Sequence, residues 1–277
     1  MSDYSKLGTE ARNPRTAHID KASSAEIVRL MNAENLRAVQ AVGEAEAKIA
    51  AAIDGIAERI GRGGRLIYVG AGTSGRLGAL DAAECPPTFG VGYDDVVAVM
   101  AGGKNAFFRA AEGAEDSAEA GERDISELGI SEKDAVVGIS AAGSAGYVIS
   151  AVRYAASKHA LTVAVTCNPD TPLAGACDIA IEALTGAEAV TGSTRLKAGT
   201  AQKLILNMLS TGAMIRTGKV YENMMINVRP TNIKLRDRAA RIAAEISGAS
   251  YGDAYDAVGK TGSVREAIEL LRGETDA

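Results

Sequence analysis

Four short aliphatic runs constrain this chain more than any other feature. They are Leu66-Ile67-Tyr68-Val69, Val96-Val97-Ala98-Val99-Met100, Ala135-Val136-Val137-Gly138-Ile139 and Leu161-Thr162-Val163-Ala164-Val165. Each is only four or five residues long and nearly all apolar, the pattern of a strand covered on both faces rather than one with a wet side. A weaker fifth run lies near Asp178 to Ile181. Helical patterns separate them, including one from Tyr147 to about Lys158. Strands alternating with helices predict an α/β fold, a doubly wound parallel sheet. In such sheets ligands bind beyond the carboxyl ends of the strands.

Two of those ends carry loops of small residues. After Val69 comes Gly70-Ala71-Gly72-Thr73-Ser74-Gly75, followed by a helical pattern starting near Arg76; after Ile139 comes Ser140-Ala141-Ala142-Gly143-Ser144-Ala145-Gly146. A strand feeding a Gly/Ser/Thr turn and then a helix leaves backbone N–H groups and hydroxyls at the helix N-terminus, an anion site. Gly70-x-Gly72-x-x-Gly75 also matches the dinucleotide fingerprint. That fingerprint needs an acidic residue at the end of the next strand to hold a ribose. Here the next strand ends in Met100-Ala101-Gly102, with Asp94-Asp95 placed before it. The hydroxyls of Thr73 and Ser74 suit a compact phosphate better.

A third small-residue segment, Gly192-Ser193-Thr194-Arg195-Leu196-Lys197, opens a long apolar helix reaching about Arg216. Cations are unfavourable at a helix N-terminus, so Arg195 and Lys197 call for an anionic partner, either phosphate or a carboxylate. Together the three segments predict that Gly72, Thr73, Ser74, Ser140, Ser144, Ser193, Thr194, Arg195 and Lys197 bind a phosphorylated small molecule. Glu84, next to Cys85-Pro86-Pro87, is a carboxylate on stiff backbone. Glu112, Glu115 and Glu119 fall on one stripe of a helix expected from about Asn105 to Glu122, and by themselves read as a solvated acidic face.

The rest of the chain frames this centre. Residues 1–23 are polar and read as a surface arm, although Thr9-Glu10-Ala11-Arg12-Asn13-Pro14 forms a compact cluster. Ser23 and Glu26 form a capping-box pattern at the start of a first helix, and a second runs from about Glu44 to Ile60. Beyond Pro230 a helix from Asn232 to Ile246 and two shorter ones predict a small helical subdomain, with a frayed tail from Arg272. The expected division is an N-terminal arm and helix (1–43), an α/β domain that binds the phosphorylated ligand (44–228) and a C-terminal helical region (229–277). With 47% apolar residues but only 4% aromatics and no Trp, the core must be aliphatic. A net charge of −5 without a basic block argues against nucleic acid. Three cysteines without metal spacing, and no apolar targeting or membrane-spanning run, predict a cytoplasmic protein. His18 and His159 are too few for a catalytic triad or a metal site, and Cys85 reads as a packing residue.

Taken together, the segments TEARNP, GGRLIYVGAGTSGRLGALDAAECPPTFG, AGGKNAFFRAAEGAED, TGSTRLKAGTAQKLILNMLSTGAMIRTGK and YENMMINV resemble the N-acetylmuramic acid 6-phosphate etherase family. The resemblance runs from Thr9 to about Leu271. It implies a sugar isomerase (SIS) type domain, a homodimer, no metal or other cofactor, and a cytoplasmic phosphorylated amino sugar as substrate. It further implies cleavage of the D-lactyl ether to N-acetylglucosamine 6-phosphate and D-lactate, with Glu84 as proton donor and Glu115 as base, against the bland reading of Glu115 above. Such a pair needs one carboxyl ionised and the other protonated. Two features depart from the family. Its second loop usually reads Ala-Ser-Gly-Arg-Thr-Pro-Tyr where this chain has Ala141-Ala142-Gly143-Ser144-Ala145-Gly146-Tyr147, and its last helices extend further. A phosphosugar isomerase and a phosphosugar-sensing regulator without turnover are the alternatives on the same fold.

Overall fold

The computed structural model describes residues 7–109, 111–228, 230 and 232–273; the expectations for residues 1–6 and for the tail from 274 lie outside them. The described chain divides into two compact units: residues 1–82 with 94–213, and residues 83–93 with 214–277.

The first unit is built on a parallel sheet. Its strands are β1 (Leu66–Gly70), β2 (Val96–Met100), β3 (Ala135–Ile139), β4 (Leu161–Thr166) and β5 (Ile179–Glu182). They lie in the order β2-β1-β3-β4-β5, and every neighbouring pair is parallel. β1 and β3 are buried along their whole length, as their unbroken apolar runs require.

Helices cover both faces. Ile67, Val69, Val136 and Ala164 pack with Val148, Ala151, Val152 and Ala155 of α5 (Gly146–Ser157). On the other face the Tyr68 hydroxyl donates to Asp81 at 2.7 Å; Asp81 lies on α3 (Gly72–Phe89). α6 (Lys197–Arg216) supplies a buried side to the same face through the carbonyl of Leu206, 3.3 Å from that hydroxyl. Two helices precede the sheet, α1 (Ser24–Glu44) and α2 (Glu46–Gly61). Ser23 caps α1 by accepting from the Glu26 N–H at 3.3 Å, the expected start signal.

Two expectations are corrected. The helix from Asn105 to Glu122 is instead two 3-10 turns, Lys104–Phe107 and Ala114–Asp116, followed by α4 (Ala118–Ser126). Gly113 is the reason: it takes a left-handed conformation (φ 73°) that interrupts any helix. Glu112, Glu115 and Glu119 therefore form no helical stripe. The expected surface arm is also folded in from residue 7. Thr9, Asn13 and Thr16 are buried. The Thr9 N–H donates to Asn168, the Asn13 amide to the Ala187 carbonyl, and the Thr16 hydroxyl to the Ala189 carbonyl.

In the second unit, α7 (Ile233–Ser247), α8 (Tyr251–Thr261) and α9 (Val264–Arg272) pack around Ala239, Ala243, Ala254, Val258, Val264 and Ile268. Asn232, Ser250 and Ser263 cap their N-termini, and Gly248, Gly262 and Gly273 end them in left-handed conformations. Among the described residues, no helix is long and apolar enough to cross a membrane.

Candidate active site

The connection leaving β1 turns to β2 on one side, and β3 lies on the other. This is the switch point of the sheet, where the loops diverge and open a crevice. A cavity of about 340 Å³ lies there, lined by Gly72, Thr73 and Ser74 from the start of α3, by residues 139–142, 144 and 145 after β3, and by Glu10, Glu115, Asp116 and Thr194.

Close packing makes the first loop. A Cβ on Gly70 would lie 2.6 Å from the Gly75 nitrogen, and one on Gly75 would lie 2.8 Å from the Gly70 carbonyl oxygen. The glycines thus let α3 start directly against the end of β1. The first N–H groups of any helix have no carbonyl within it to donate to, so those of Gly72, Thr73 and Ser74 are available at the cavity. The second loop turns at Gly143, whose N–H approaches both the carbonyl and the hydroxyl of Ser140 at 3.1 Å. It leads into α5 at Ala145, where no side chain caps the helix. Two helix N-termini and five hydroxyls, those of Thr73, Ser74, Ser140, Ser144 and Thr194, therefore meet at one cavity whose lining includes no Lys or Arg. That chemistry accepts an anion through N–H and O–H groups.

Glu115 sits on the 3-10 turn beside this anion cradle and is exposed. The turn is held from both ends. A Cβ on Gly146 would come within 2.9 Å of the Asp116 carbonyl oxygen, so the glycine admits the turn against α5. Beyond it, Ser117 caps α4, Ser150 donates to the Ala118 carbonyl at 2.6 Å, and the Tyr147 hydroxyl donates to Asp124 at 2.8 Å. Burial, reinforced by Asp124, pushes the Tyr147 phenol well above its ordinary range, so it stays protonated in this bond.

Glu84 lies on α3 twelve positions after Gly72, in the part of the helix that belongs to the second unit, and is exposed. Pro86 and Pro87 stand inside the helix and offer no N–H to the carbonyls of Ala82 and Ala83. Thr88 donates its hydroxyl to the Glu84 carbonyl at 2.7 Å. Cys85 is buried, in keeping with a packing residue.

The third segment is divided. Thr194 lines the cavity, while Ser193 and the exposed Arg195 are outside its lining. Lys197 is fully buried, and its ammonium donates to Glu34 of α1 at 2.6 Å. The N-terminus of α6 is occupied as well: the N–H groups of Lys197 and Ala198 donate to the two carboxylate oxygens of Glu188, each at 2.9 Å. At Lys197 the anionic partner that the sequence called for is thus a pair of internal carboxylates. Sequence reasoning also missed Glu10 and Asp116 as lining residues. Glu10 had a signal, since it falls inside the compact TEARNP cluster.

A parallel sheet in this order, with an anion cradle at its switch point, defines a doubly wound α/β protein that binds its ligand beyond the strand ends. Residues 48–156 match the family model described as the glucokinase regulatory protein N-terminal SIS domain. The same fold is shown by phosphoheptose isomerases from Neisseria gonorrhoeae (TM-score 0.52, 20% identity, 69% of this chain and 98% of that one) and Francisella tularensis (TM-score 0.51, 17% identity, 70% and 100%). The chain belongs to the N-acetylmuramic acid 6-phosphate etherase family. It is 54% identical over 255 residues to the etherase of Clostridium beijerinckii, covering 92% of this chain and 84% of that protein. With the etherase of Streptomyces coelicolor it shares 52% over 276 residues, 99% and 89% respectively.

Proposed function

We propose that this chain cleaves the D-lactyl ether of N-acetylmuramic acid 6-phosphate, and that Glu115 removes a proton from substrate held in the switch-point cavity. The observation that carries the reading is the placement of Glu115 beside a cradle of N–H groups and hydroxyls. A phosphate seated on Gly72, Thr73 and Ser74 leaves the sugar carbons to extend toward the carboxylate side of the cavity.

The steps follow from the substrate's chemistry. Opening the sugar ring exposes an aldehyde at C1, which acidifies the C2 proton. Glu115 takes that proton, and the electron pair released at C2 expels the lactate oxygen from C3. Glu84 is outside the lining of that cavity and is assigned by the family pattern alone as the donor of the proton that the leaving oxygen needs, giving D-lactate and an unsaturated aldehyde. Water then adds at C3, its proton returning to a carboxylate, and C2 is reprotonated to give N-acetylglucosamine 6-phosphate. The role of Glu84 rests on the ECPPTF segment that it shares with the family pattern; its rigid, proline-flanked backbone supports a fixed donor. We read the protein as a cytoplasmic homodimer, for which the exposed Val28, Leu36 and Val39 of α1 offer an apolar face.

The test is turnover in heavy-oxygen water. Wild type should release D-lactate and place one labelled oxygen on C3 of the sugar. Glu115→Gln and Glu84→Gln should each lose at least 100-fold in rate, the scale of a positioned acid or base. Proton exchange at C2 without lactate would identify an isomerase instead, and sugar binding without either reaction a sensor.

A further inference from the structure

Ser74 and Gln202 form a bond that opposes the role of Ser74 at the cavity. The Ser74 hydroxyl donates to Oε1 of Gln202 at 3.0 Å, and both residues are buried. A hydroxyl has one proton. While that proton points at Gln202, Ser74 presents only lone pairs to the cavity, and lone pairs repel a phosphate. Gln202 is 1% exposed, and its Nε2 has no hydrogen-bond partner. An amide with its acceptor used and its NH2 group idle in the interior is the costlier way round. Buried unpaired N–H groups are rarer than under-satisfied carbonyls.

We propose that Gln202 is a positioning residue that sets the direction of the Ser74 proton through a half-turn of its amide. After the half-turn, Nε2 donates to Ser74 Oγ, and Oε1 takes the place of the idle NH2 group. The Ser74 proton is then released to the cavity and donates to the bound phosphate. The count of bonds balances. One Ser74–Gln202 bond is exchanged for another, two buried unpaired N–H groups become one unpaired N–H and one unpaired carbonyl, and the phosphate gains a donor. Because Nε2 has no partner to give up, the turn breaks nothing else. Anion binding and the amide orientation are therefore coupled: a phosphate favours the turned amide, and the turned amide favours a phosphate.

The proposal rests on the reading of the cavity as a phosphate site, and the test separates the two. Binding of inorganic phosphate and of N-acetylglucosamine 6-phosphate is measured by titration calorimetry on the whole chain. Ser74→Ala should weaken both roughly 10- to 100-fold, the worth of one hydrogen bond to a charged group. If it weakens neither, the phosphate does not sit on Ser74 and the site reading fails first. Gln202→Glu offers only acceptors and keeps the Ser74 proton turned inward, so it should lose about as much as Ser74→Ala. The double variant should lose no more than either single one. Gln202→Leu offers no acceptor, leaves the proton free, and should bind phosphate at least tenfold more tightly than Gln202→Glu.

A role in packing alone predicts the opposite order or equal losses, because Leu and Glu disturb the same interior site. An undiminished effect of Gln202→Glu in the Ser74→Ala background would show charge repulsion rather than proton direction. Either result overturns the proposal. Should Gln202→Leu fail to fold, Gln202→Met offers a flexible side chain equally without an oxygen or N–H.

Discussion

Lys197 and Glu34 meet at 2.6 Å with both side chains sealed from solvent, joining positions 163 residues apart. Arg15 closes on the same carboxylate with two bonds, at 2.5 and 3.0 Å. The N-terminal segment, α1 and the first residue of α6 are thereby fastened at one buried carboxylate. Thr194, which lines the cavity, stands three residues before Lys197. The lysine that sequence patterning assigned to phosphate thus serves the frame that carries the phosphate site.

Removing one partner of a buried ion pair leaves the other charge without compensation, which destabilises by about 3–5 kcal/mol. Lys197→Met is expected to lose toward the lower end of that range in a denaturant titration, because the half-exposed Arg15 still bonds both oxygens of Glu34 and Arg37 stands 3.9 Å away. Pairing it with Glu34→Gln should recover part of the loss. A Lys197→Met protein as stable as wild type would mean that the pair contributes nothing.

The same cluster fixes how the fold responds to acid. Burial pushes the Glu34 carboxyl up, but its bonds to Arg15 and Lys197 outweigh burial and hold it at about 2. A carboxyl depressed in the folded state contributes stability that is complete above its ordinary range near 4.3 and is lost as pH falls toward 2. The melting temperature should therefore fall steeply between about pH 4 and pH 2. Glu34→Gln should flatten that fall while starting from a lower value at neutral pH. Glu188 acts in the opposite sense: burial pushes it up despite its two N–H donors, so its contribution fades as pH rises.

The strands were legible because a sheet buried on both faces needs unbroken apolar runs, and these carry no competing pattern. The Thr73-Ser74 loop was legible for a related reason, since glycines at such close approaches tolerate no replacement. What failed depended on distance. The partners that fold in Thr9, Asn13 and Thr16 lie 159, 174 and 173 positions away, and no local pattern announces them. The helix expected through Glu115 failed because a single glycine conformation at Gly113 overrode the helical spacing around it. Gln202 left no signal at all, being one of several polar residues on α6, with its partner on another element.

The folded N-terminal segment gives a prediction that proteolysis can read. Asn168 accepts from the Thr9 N–H and donates its amide to both Thr9 Oγ1, at 3.0 Å, and the Ala141 carbonyl, at 2.9 Å. It ties the segment bearing Glu10 to the second loop of the cavity. Asn168→Ala removes these bonds and should expose Arg12 and Arg15 to trypsin at least tenfold faster. Substrate affinity should fall as well, because Glu10 and Ala141 both line the cavity. Unchanged cleavage would show that the segment is held by its other contacts alone.

Gly143 takes φ +67°, and a Cβ there would lie 2.3 Å from the Thr171 side chain. Gly143→Ala thus meets both backbone strain and a clash, and should destabilise by about 1–3 kcal/mol from the strain alone. Thr171→Ala in the same chain should relieve the clash but not the strain, so the double variant should recover part of the loss. Because the loop carries Ser140 and Ser144, phosphate affinity should fall with stability. Loss of stability with full affinity would place the anion away from this loop.

Ser144 offers the last test, because it stands where the family's loop usually carries arginine. The cavity lining includes three carboxylates, Glu10, Glu115 and Asp116, and no Lys or Arg to offset them. A phosphate there is held by N–H groups and hydroxyls against a negative surround. Ser144→Arg adds a guanidinium with donors matched to phosphate oxygens. Inhibition by inorganic phosphate should strengthen about tenfold, or about 1.4 kcal/mol, near the lower bound for a hydrogen bond to a charged group. The gain should shrink between 0.05 and 0.5 M salt, roughly the range over which the Debye length falls from above 10 Å toward 3 Å. A gain that salt does not touch would come from packing rather than charge. No gain at all would mean that the phosphate rests on α3 without reaching the second loop.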